Sequence, residues 1–148
     1  MTVTGMFVNF AVTDLDRAKA FYTALGFTIN PLFTDHNAAC VVVEDGHSYF
    51  MVQTREYYQT MTELELGDPK VHPTAGTSIF LDTRDAVDAA VAAGVKAGGS
   101  EVGEPADYGF MYQRGLTDPD GNVVDFGWMD PKAAETGPEA FMAEHQQA

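Results

Sequence analysis

The first half of the chain alternates between the two-residue period of strands and the three- to four-residue period of helices. The pattern predicts a strand over 6–12 and a helix over 15–25. Thr13 or Asp14 caps the start of this helix, and Gly26 ends it. Three further apolar runs follow, and they predict strands over 27–33, 38–44 and 47–53.

The same order of elements returns in the second half. A strand over 77–81 leads into a helix over 83–93, which Gly94 ends. Three more strands are predicted, over 95–102, 109–116 and 123–128. The hairpin signals Asp45-Gly46 and Asp120-Gly121 occupy matching places in the two halves.

This internal repeat predicts the architecture more firmly than any single element does. One strand–helix–strand–strand–strand unit has an apolar sheet face that it cannot cover alone, so two units are expected to pair. The predicted fold is α+β, with two βαβββ modules that form a curved eight-stranded mixed sheet around a cavity and carry their helices outside. Ten residues are predicted to be buried between helices and sheet: Val8, Phe10, Val12, Phe21, Leu25, Phe80, Val87, Val91, Val124 and Phe126.

A length of 148 residues predicts a single domain. Module one spans about 5–53, and a linker over 54–73 is long enough to act as a lid. Module two spans about 74–130, and the tail over 131–148 is polar except for a short predicted helix over about 138–145.

The net charge of −14 argues against binding to nucleic acid or to an anionic membrane surface, and it would attract a cationic ligand. The single cysteine, Cys40, rules out an intramolecular disulfide framework. No stretch resembles a signal peptide or a membrane span of about 20 apolar residues, so the predicted location is the cytoplasm.

The last strand carries a carboxylate in an otherwise apolar run. Val124, Phe126 and Trp128 share one apolar face, which is expected to pack against helices. Asp125 lies on the opposite face and is the first functional candidate. The alternative is an ordinary polar residue on a solvated strand face.

Two stretches resemble a known superfamily. The run VTDLDRAKAFY at 12–22, followed by LGF at 25–27, resembles the first module of the vicinal-oxygen-chelate superfamily, which includes glyoxalase I, bleomycin-resistance proteins and extradiol dioxygenases. The turn DPDGN at 118–122 resembles the end of its second module, so the resemblance covers about 6–130. The runs DYGFMY at 107–112 and WMD at 128–130 resemble its glyoxalase-like branch of predicted lactoylglutathione lyases.

Metal-dependent members of this superfamily hold their metal with ligands from four inward strand positions. The resemblance places Phe7, Thr77, Phe50 or Met51, and Asp125 at these positions. Only Asp125 is a ligand type, whereas a divalent zinc, nickel or iron ion takes about three or four protein ligands. The four histidines are read as surface residues of loops, a turn and the tail: His36, His47, His72 and His145. No cofactor is therefore favoured, and a divalent metal is the alternative.

The inward strand faces are predicted to form a mostly apolar small-molecule pocket with a few polar groups. Its predicted residues are Phe7, Asn9, Tyr49, Met51, Gln53, Thr77, Ile79, Tyr112 and Asp125. Tyr112 and Asp125 are candidate catalytic residues, as an acid–base pair, if burial raises the pKa of Asp125. The alternative is that Asp125 and Asn9 hydrogen-bond each other and only satisfy the interior.

Two functions follow from this sequence. The favoured one is a glyoxalase/bleomycin-resistance-like protein that binds a small cationic or aromatic molecule in a metal-poor pocket. The alternative is a metal-dependent lyase or isomerase resembling lactoylglutathione lyase. A homodimer is also predicted, through apolar residues of the linker or tail that have little else to contact: Tyr57, Tyr58, Phe141 and Met142.

Overall fold

The repeat predicted from the sequence is confirmed in a computed structural model, which describes residues 1–72 and 75–145. Each half folds as one βαβββ module. Module one comprises β1 (Met6–Val12), α1 (Leu15–Ala24), β2 (Thr28–Asn30), β3 (Ala38–Glu44) and β4 (Ser48–Thr54). Module two comprises β5 (Gly76–Phe80), α3 (Arg84–Lys96), β6 (Ser100–Asp107), β7 (Met111–Thr117) and β8 (Val123–Met129).

The linker and the tail contain the remaining helices. The linker begins with the short helix α2 (Arg55–Gln59), where the sequence predicted a helical turn. The tail contains α4 (Pro131–Thr136), which was not predicted, and α5 (Pro138–His145), which was.

The eight strands are hydrogen-bonded as two four-stranded sheets, one in each module. The strand order is β1-β4-β3-β2 in the module-one sheet and β5-β8-β7-β6 in the module-two sheet. In each sheet the first strand of the module pairs in parallel with the last, and the other pairs are antiparallel. Each residue on the first strand of a module therefore lies on the same face of the sheet as its paired residue on the last strand.

One hydrophobic core joins the two modules. It contains Phe21 and Tyr22 of α1 together with Val124 and Phe126 of β8, all at most 1% exposed. The core therefore lies against the helix-facing side of both sheets, while the other side of each sheet stays open.

The two faces of β5 are the reverse of those predicted. Thr77 pairs with Val124 and Ile79 pairs with Phe126, so Thr77 and Ile79 lie on the core side of the sheet and not on the face that carries Asp125. On the core side they line a separate cavity of about 690 Å³ together with Val8 and Phe50. Phe80, predicted in the core, is 47% exposed because it lies on the open face. A shift of one residue along a strand moves every side chain to the other face, which explains all three corrections.

Three element boundaries also differ from the sequence prediction. The strand predicted over 95–102 instead spans Ser100–Asp107, because the helix before it continues to Lys96. The second strand is shorter than predicted because Pro31 starts a 3-10 turn over Pro31–Phe33. Gly94 does not end α3 but lies inside it, and the helix continues to Lys96. Gly98, with a φ of 98°, supplies the left-handed residue after the helix instead.

The turn between β7 and β8 connects the modules through Asp118. Its Oδ1 accepts the backbone N–H groups of Asp120 and Asn122, both at 2.9 Å. Its Oδ2 accepts the Tyr22 hydroxyl at 3.1 Å and the Asn122 amide at 2.9 Å. Burial raises the pKa of Asp118, and these hydrogen bonds oppose the rise.

None of the helices in the described residues is both long enough and apolar enough to cross a membrane.

Candidate functional site

The open face of the module-one sheet brings together three of the predicted pocket residues. Asn9 of β1 lies opposite Met51 of β4, and Gln53 follows two residues later on the same face. The helix-facing residues Phe10 and Val12 alternate with them and are buried in the core. The packing of the opposite face of the sheet in the core therefore holds Asn9, Met51 and Gln53 in place.

These three residues line a cavity of about 380 Å³, which we call the β1–β4 pocket. The 3-10 turn before β3 and the linker after β4 supply its other walls. The apolar lining residues are Leu32, Phe33, Ala38, Met51, Tyr57 and Met61, and the polar ones are Asn9, Thr34, Asp35 and Gln53.

An amide pair forms the base of the β1–β4 pocket. Gln53 Nε2 donates to Asn9 Oδ1 at 2.9 Å, and the Gln53 residue is only 2% exposed. Gln53 Oε1 is a buried acceptor without a hydrogen-bond partner among the described residues. Because buried polar groups are nearly always paired, this oxygen is an unusual feature of the pocket.

A carboxylate stands at the rim of the same pocket. Asp35 Oδ1 accepts the backbone N–H groups of Asn37 at 2.7 Å and Ala38 at 3.0 Å. These hydrogen bonds hold the pKa of Asp35 below its usual range, so the carboxylate carries a full negative charge at neutral pH.

Two other predicted residues share this sheet face but lie outside the pocket. Phe7 stacks on Tyr49 with ring centroids 4.7 Å apart, and Phe7 is 52% exposed. The Tyr49 hydroxyl accepts the backbone N–H of Gly46 at 2.8 Å, which ties the ring to the β3–β4 turn.

Asp125 lies on a different sheet from Asn9 and Gln53. It pairs with Ser78 on the open face of the module-two sheet, and its Oδ1 accepts the backbone N–H of Leu116 at 3.1 Å. Burial raises the pKa of Asp125, and the Leu116 bond opposes the rise. The hydrogen bond between Asp125 and Asn9, given as the alternative to catalysis, is therefore not formed.

Tyr112 and Asp125 are not brought together either, so the predicted acid–base pair is wrong. Tyr112 pairs with Trp128 on the helix-facing side of the sheet, and its hydroxyl donates to Asp88 Oδ1 at 2.8 Å. The Arg84 guanidinium stacks over both rings, 5.3 Å from the Tyr112 centroid and 4.9 Å from that of Trp128. Neighbouring positions along one strand face opposite ways, which separates these side chains from Asp125.

The residues at the family's metal positions do not fit a divalent metal ion. Within 1–72 and 75–145, no group of three or more His, Cys, Asp or Glu side chains is close enough to hold one. Asp125 has Ser78 rather than Thr77 as its neighbour on β5, and Ser78 does not complete a ligand set.

Sequence reasoning missed the parts of the β1–β4 pocket that come from loops. Phe33, Asp35 and Met61 reach the pocket from the 3-10 turn, the next turn and the linker. The signal available was a pair of apolar residues, Leu32-Phe33, directly before a polar turn. These two are 86% and 66% exposed, so they are not part of the core.

Comparison with known proteins supports the same architecture. Residues 4–44 match the family described as "Bleomycin resistance protein-like N-terminal". No curated protein matches the sequence significantly. A hypothetical protein, SA1046, from S. aureus has a similar structure, with a TM-score of 0.73 and 25% identity over 86% of this chain and 95% of its own.

Two further solved structures are similar over most of their length. A glyoxalase/bleomycin resistance protein/dioxygenase family enzyme from Burkholderia phytofirmans PsJN has a TM-score of 0.69 and 23% identity, over 83% of this chain and 96% of its own. The chain has the glyoxalase/bleomycin resistance/dioxygenase fold. A glyoxalase/bleomycin resistance protein from Albidiferax ferrireducens T118 shares this fold, with a TM-score of 0.61 and 24% identity over 82% of this chain and 95% of its own. Sequence identities of this size show a shared fold and not a shared function. The function of this glyoxalase/bleomycin resistance/dioxygenase fold is therefore inferred from the side chains at its site.

Proposed function

We propose that this protein binds a small cationic aromatic molecule in the β1–β4 pocket. The observation that carries the proposal is the ionised Asp35 at the rim of a cavity walled by aromatic and methionine side chains. A carboxylate held by two backbone N–H groups is fixed in place before a ligand arrives.

The walls suit an aromatic cation. Phe33 and Tyr57 offer ring faces that attract positive charge, and Met51 and Met61 offer polarisable sulfur atoms that adapt to varied ring shapes. A volume of about 380 Å³ lies within the usual range of about 300–1,000 Å³ for small-molecule sites.

The amide pair at the base supplies orientation. The Asn9 amide nitrogen has no hydrogen-bond acceptor among the described residues, and Asn9 is exposed and lines the pocket. It is therefore available to a carbonyl or hydroxyl oxygen on the ligand. Gln53 Oε1 lies beside it and gains a partner if the ligand or a shift of the amide brings a donor within reach.

The alternative from the sequence, a metal-dependent lyase or isomerase resembling lactoylglutathione lyase, has little support in these residues. It requires a set of metal donors that neither the β1–β4 pocket nor the surroundings of Asp125 supply within the described residues. Reversible binding of an organic ligand needs only the groups that the pocket contains.

The Asp35→Asn variant tests the proposal. We expect it to weaken the binding of cationic aromatic probes by about two- to fivefold, because it removes one rim charge that solvent partly screens. The asparagine Oδ1 still accepts the N–H groups of Asn37 and Ala38, so the turn is expected to persist. Fluorescence titration with thioflavin T, ethidium and berberine measures the dissociation constants.

The matched control is Asp45→Asn, which removes the same charge at the far end of β3. Asp45 lies in the β3–β4 turn, and the length of β3, about 20 Å, separates it from Asp35. Binding by this variant should equal that of the wild type. If none of the three probes binds, or if Asp35→Asn binds as tightly as Asp45→Asn, the proposal fails.

The homodimer predicted from the sequence stays a proposal. Tyr57 is 37% exposed and Met142 is 36% exposed, which supports it. Phe141 supports it less than expected, since it is 8% exposed and stacks on His145 inside the tail. A monomer mass by light scattering at micromolar concentration would contradict the dimer.

The cytoplasmic location also stays a prediction.

A further inference from the structure

Basic residues are scarce in this chain, yet they gather at one cavity. The chain has 8 lysines and arginines against 22 aspartates and glutamates. Arg17, Arg55 and Lys70 all line a cavity of about 340 Å³, which we call the linker cavity. Its full lining is Ala11, Thr13, Arg17, Arg55, Asp68, Pro69, Lys70 and Asp120.

Most basic side chains of the protein are already paired with a carboxylate. The pairs are Arg17–Asp120, Lys19–Asp16, Arg84–Asp107, Arg114 with Asp88 and Glu101, and Lys132–Glu144. Across 1–72 and 75–145, Arg55, Lys70 and Lys96 form no ion pair. Two of these three line the linker cavity, although carboxylates are abundant in the chain.

Arg55 and Lys70 are held in place by uncharged contacts. Arg55 donates from Nη1 to the Gly67 carbonyl at 3.0 Å and from Nη2 to the Leu66 carbonyl at 2.8 Å, which leaves other N–H groups of its guanidinium free to bind. Lys70 packs against Gly121, where an added Cβ would lie 2.7 Å from Lys70 Cγ. The Arg55 guanidinium therefore has a fixed position, and neither Arg55 nor Lys70 is paired with a carboxylate among the described residues.

The two carboxylates of the cavity accept hydrogen bonds from groups other than Arg55 and the Lys70 ammonium. Asp120 accepts the backbone N–H of Thr13 at 3.0 Å, the Thr13 hydroxyl at 2.6 Å and Arg17 at 3.1 Å. Asp68 Oδ1 accepts the backbone N–H of Lys70 at 3.0 Å. The lining carries one more positive than negative group in a chain whose net charge is −14.

We infer that the linker cavity binds a small oxyanion, a molecule that carries carboxylate or phosphate groups. Guanidinium and ammonium groups are the side chains that recognise such anions, and a fixed guanidinium loses little freedom when it does so. The cavity holds far more than one water, whose share of liquid is about 30 Å³. It shares no lining residue with the β1–β4 pocket, so this inference does not depend on the proposed function.

Isothermal titration calorimetry with pyrophosphate and with citrate tests the inference, at constant ionic strength set with sodium chloride. The wild type should bind at least one of the two anions at one site. Lys70→Gln should weaken that binding by about tenfold, as expected for losing one charged hydrogen bond. Lys70 is exposed, so the substitution should leave the fold intact.

Lys96→Gln is the matched control, because Lys96 is also unpaired within the described residues but does not line the linker cavity. It should bind like the wild type. Binding of citrate alone assigns a carboxylate ligand, and binding of pyrophosphate alone assigns a phosphate ligand. No heat from either anion, or equal losses in Lys70→Gln and Lys96→Gln, would overturn the inference.

Discussion

Replacing Asp118 with alanine should lower the free energy of unfolding by about 4 kcal/mol. The Asp118 residue is 2% exposed and accepts four hydrogen bonds, from two backbone N–H groups, the Asn122 amide and the Tyr22 hydroxyl. Each donor left unpaired in a buried site costs about 1–3 kcal/mol, and water that enters recovers part of the loss. Urea denaturation followed by circular dichroism measures the change.

Tyr22→Phe is the graded control for this effect. It removes only the hydroxyl bond at 3.1 Å and leaves the other three acceptor contacts of Asp118 in place. We expect it to cost about 1 kcal/mol. If Asp118→Ala unfolds at the same urea concentration as Tyr22→Phe, the turn does not hold the two modules together as described.

Replacing Gly99 with alanine should lower the free energy of unfolding by about 2–3 kcal/mol, through overpacking. A Cβ at this position would lie 2.5 Å from the backbone oxygen of Thr117 and 2.7 Å from Cε2 of the Phe21 ring. The Thr117 oxygen belongs to β7 and cannot rotate away, and Phe21 is fully buried in the core. The melting temperature should fall by about 5–10 °C, measured by calorimetry.

Gly67→Ala separates this clash from the general effect of replacing a glycine. No atom of the described residues lies within 4 Å of a Cβ added at Gly67, and its φ is not in the left-handed region. Its expected effect on stability is within about 0.5 kcal/mol. A Gly99→Ala protein as stable as Gly67→Ala would mean that the close approach of α1 and β7 at Gly99 relaxes freely.

The internal repeat made most of the fold predictable from the sequence. The two βαβββ modules and the helix start at Asp14 depend on local patterns, and the structure has them. The faces of β5 did not follow from its own residues, because in the run Thr77-Ser78-Ile79-Phe80 each face carries one small polar and one apolar side chain. Parallel pairing with β8, a contact remote in sequence, decides which side chains face the core.

The candidate site was predictable only where it lies on strands. Asn9, Met51 and Gln53 follow from the alternation of β1 and β4, and they meet in one pocket. Asp35 and Met61 come from a turn and from the linker, and the path of such segments depends on tertiary contacts that no periodic pattern records. Asp125 was placed on the correct face of its strand, but the two sheets keep it away from Asn9.

Methionine methyl signals test the central claim most directly, because the chain's seven methionines sample both sheets. In ¹H–¹³C correlation spectra of protein labelled at the methionine methyl carbon, thioflavin T should shift the signals of Met51 and Met61, which line the β1–β4 pocket. The signals of Met111 and Met129, paired on the module-two sheet, should stay unchanged. Shifts confined to Met111 and Met129 would place the ligand on the sheet that carries Asp125 and would contradict the account.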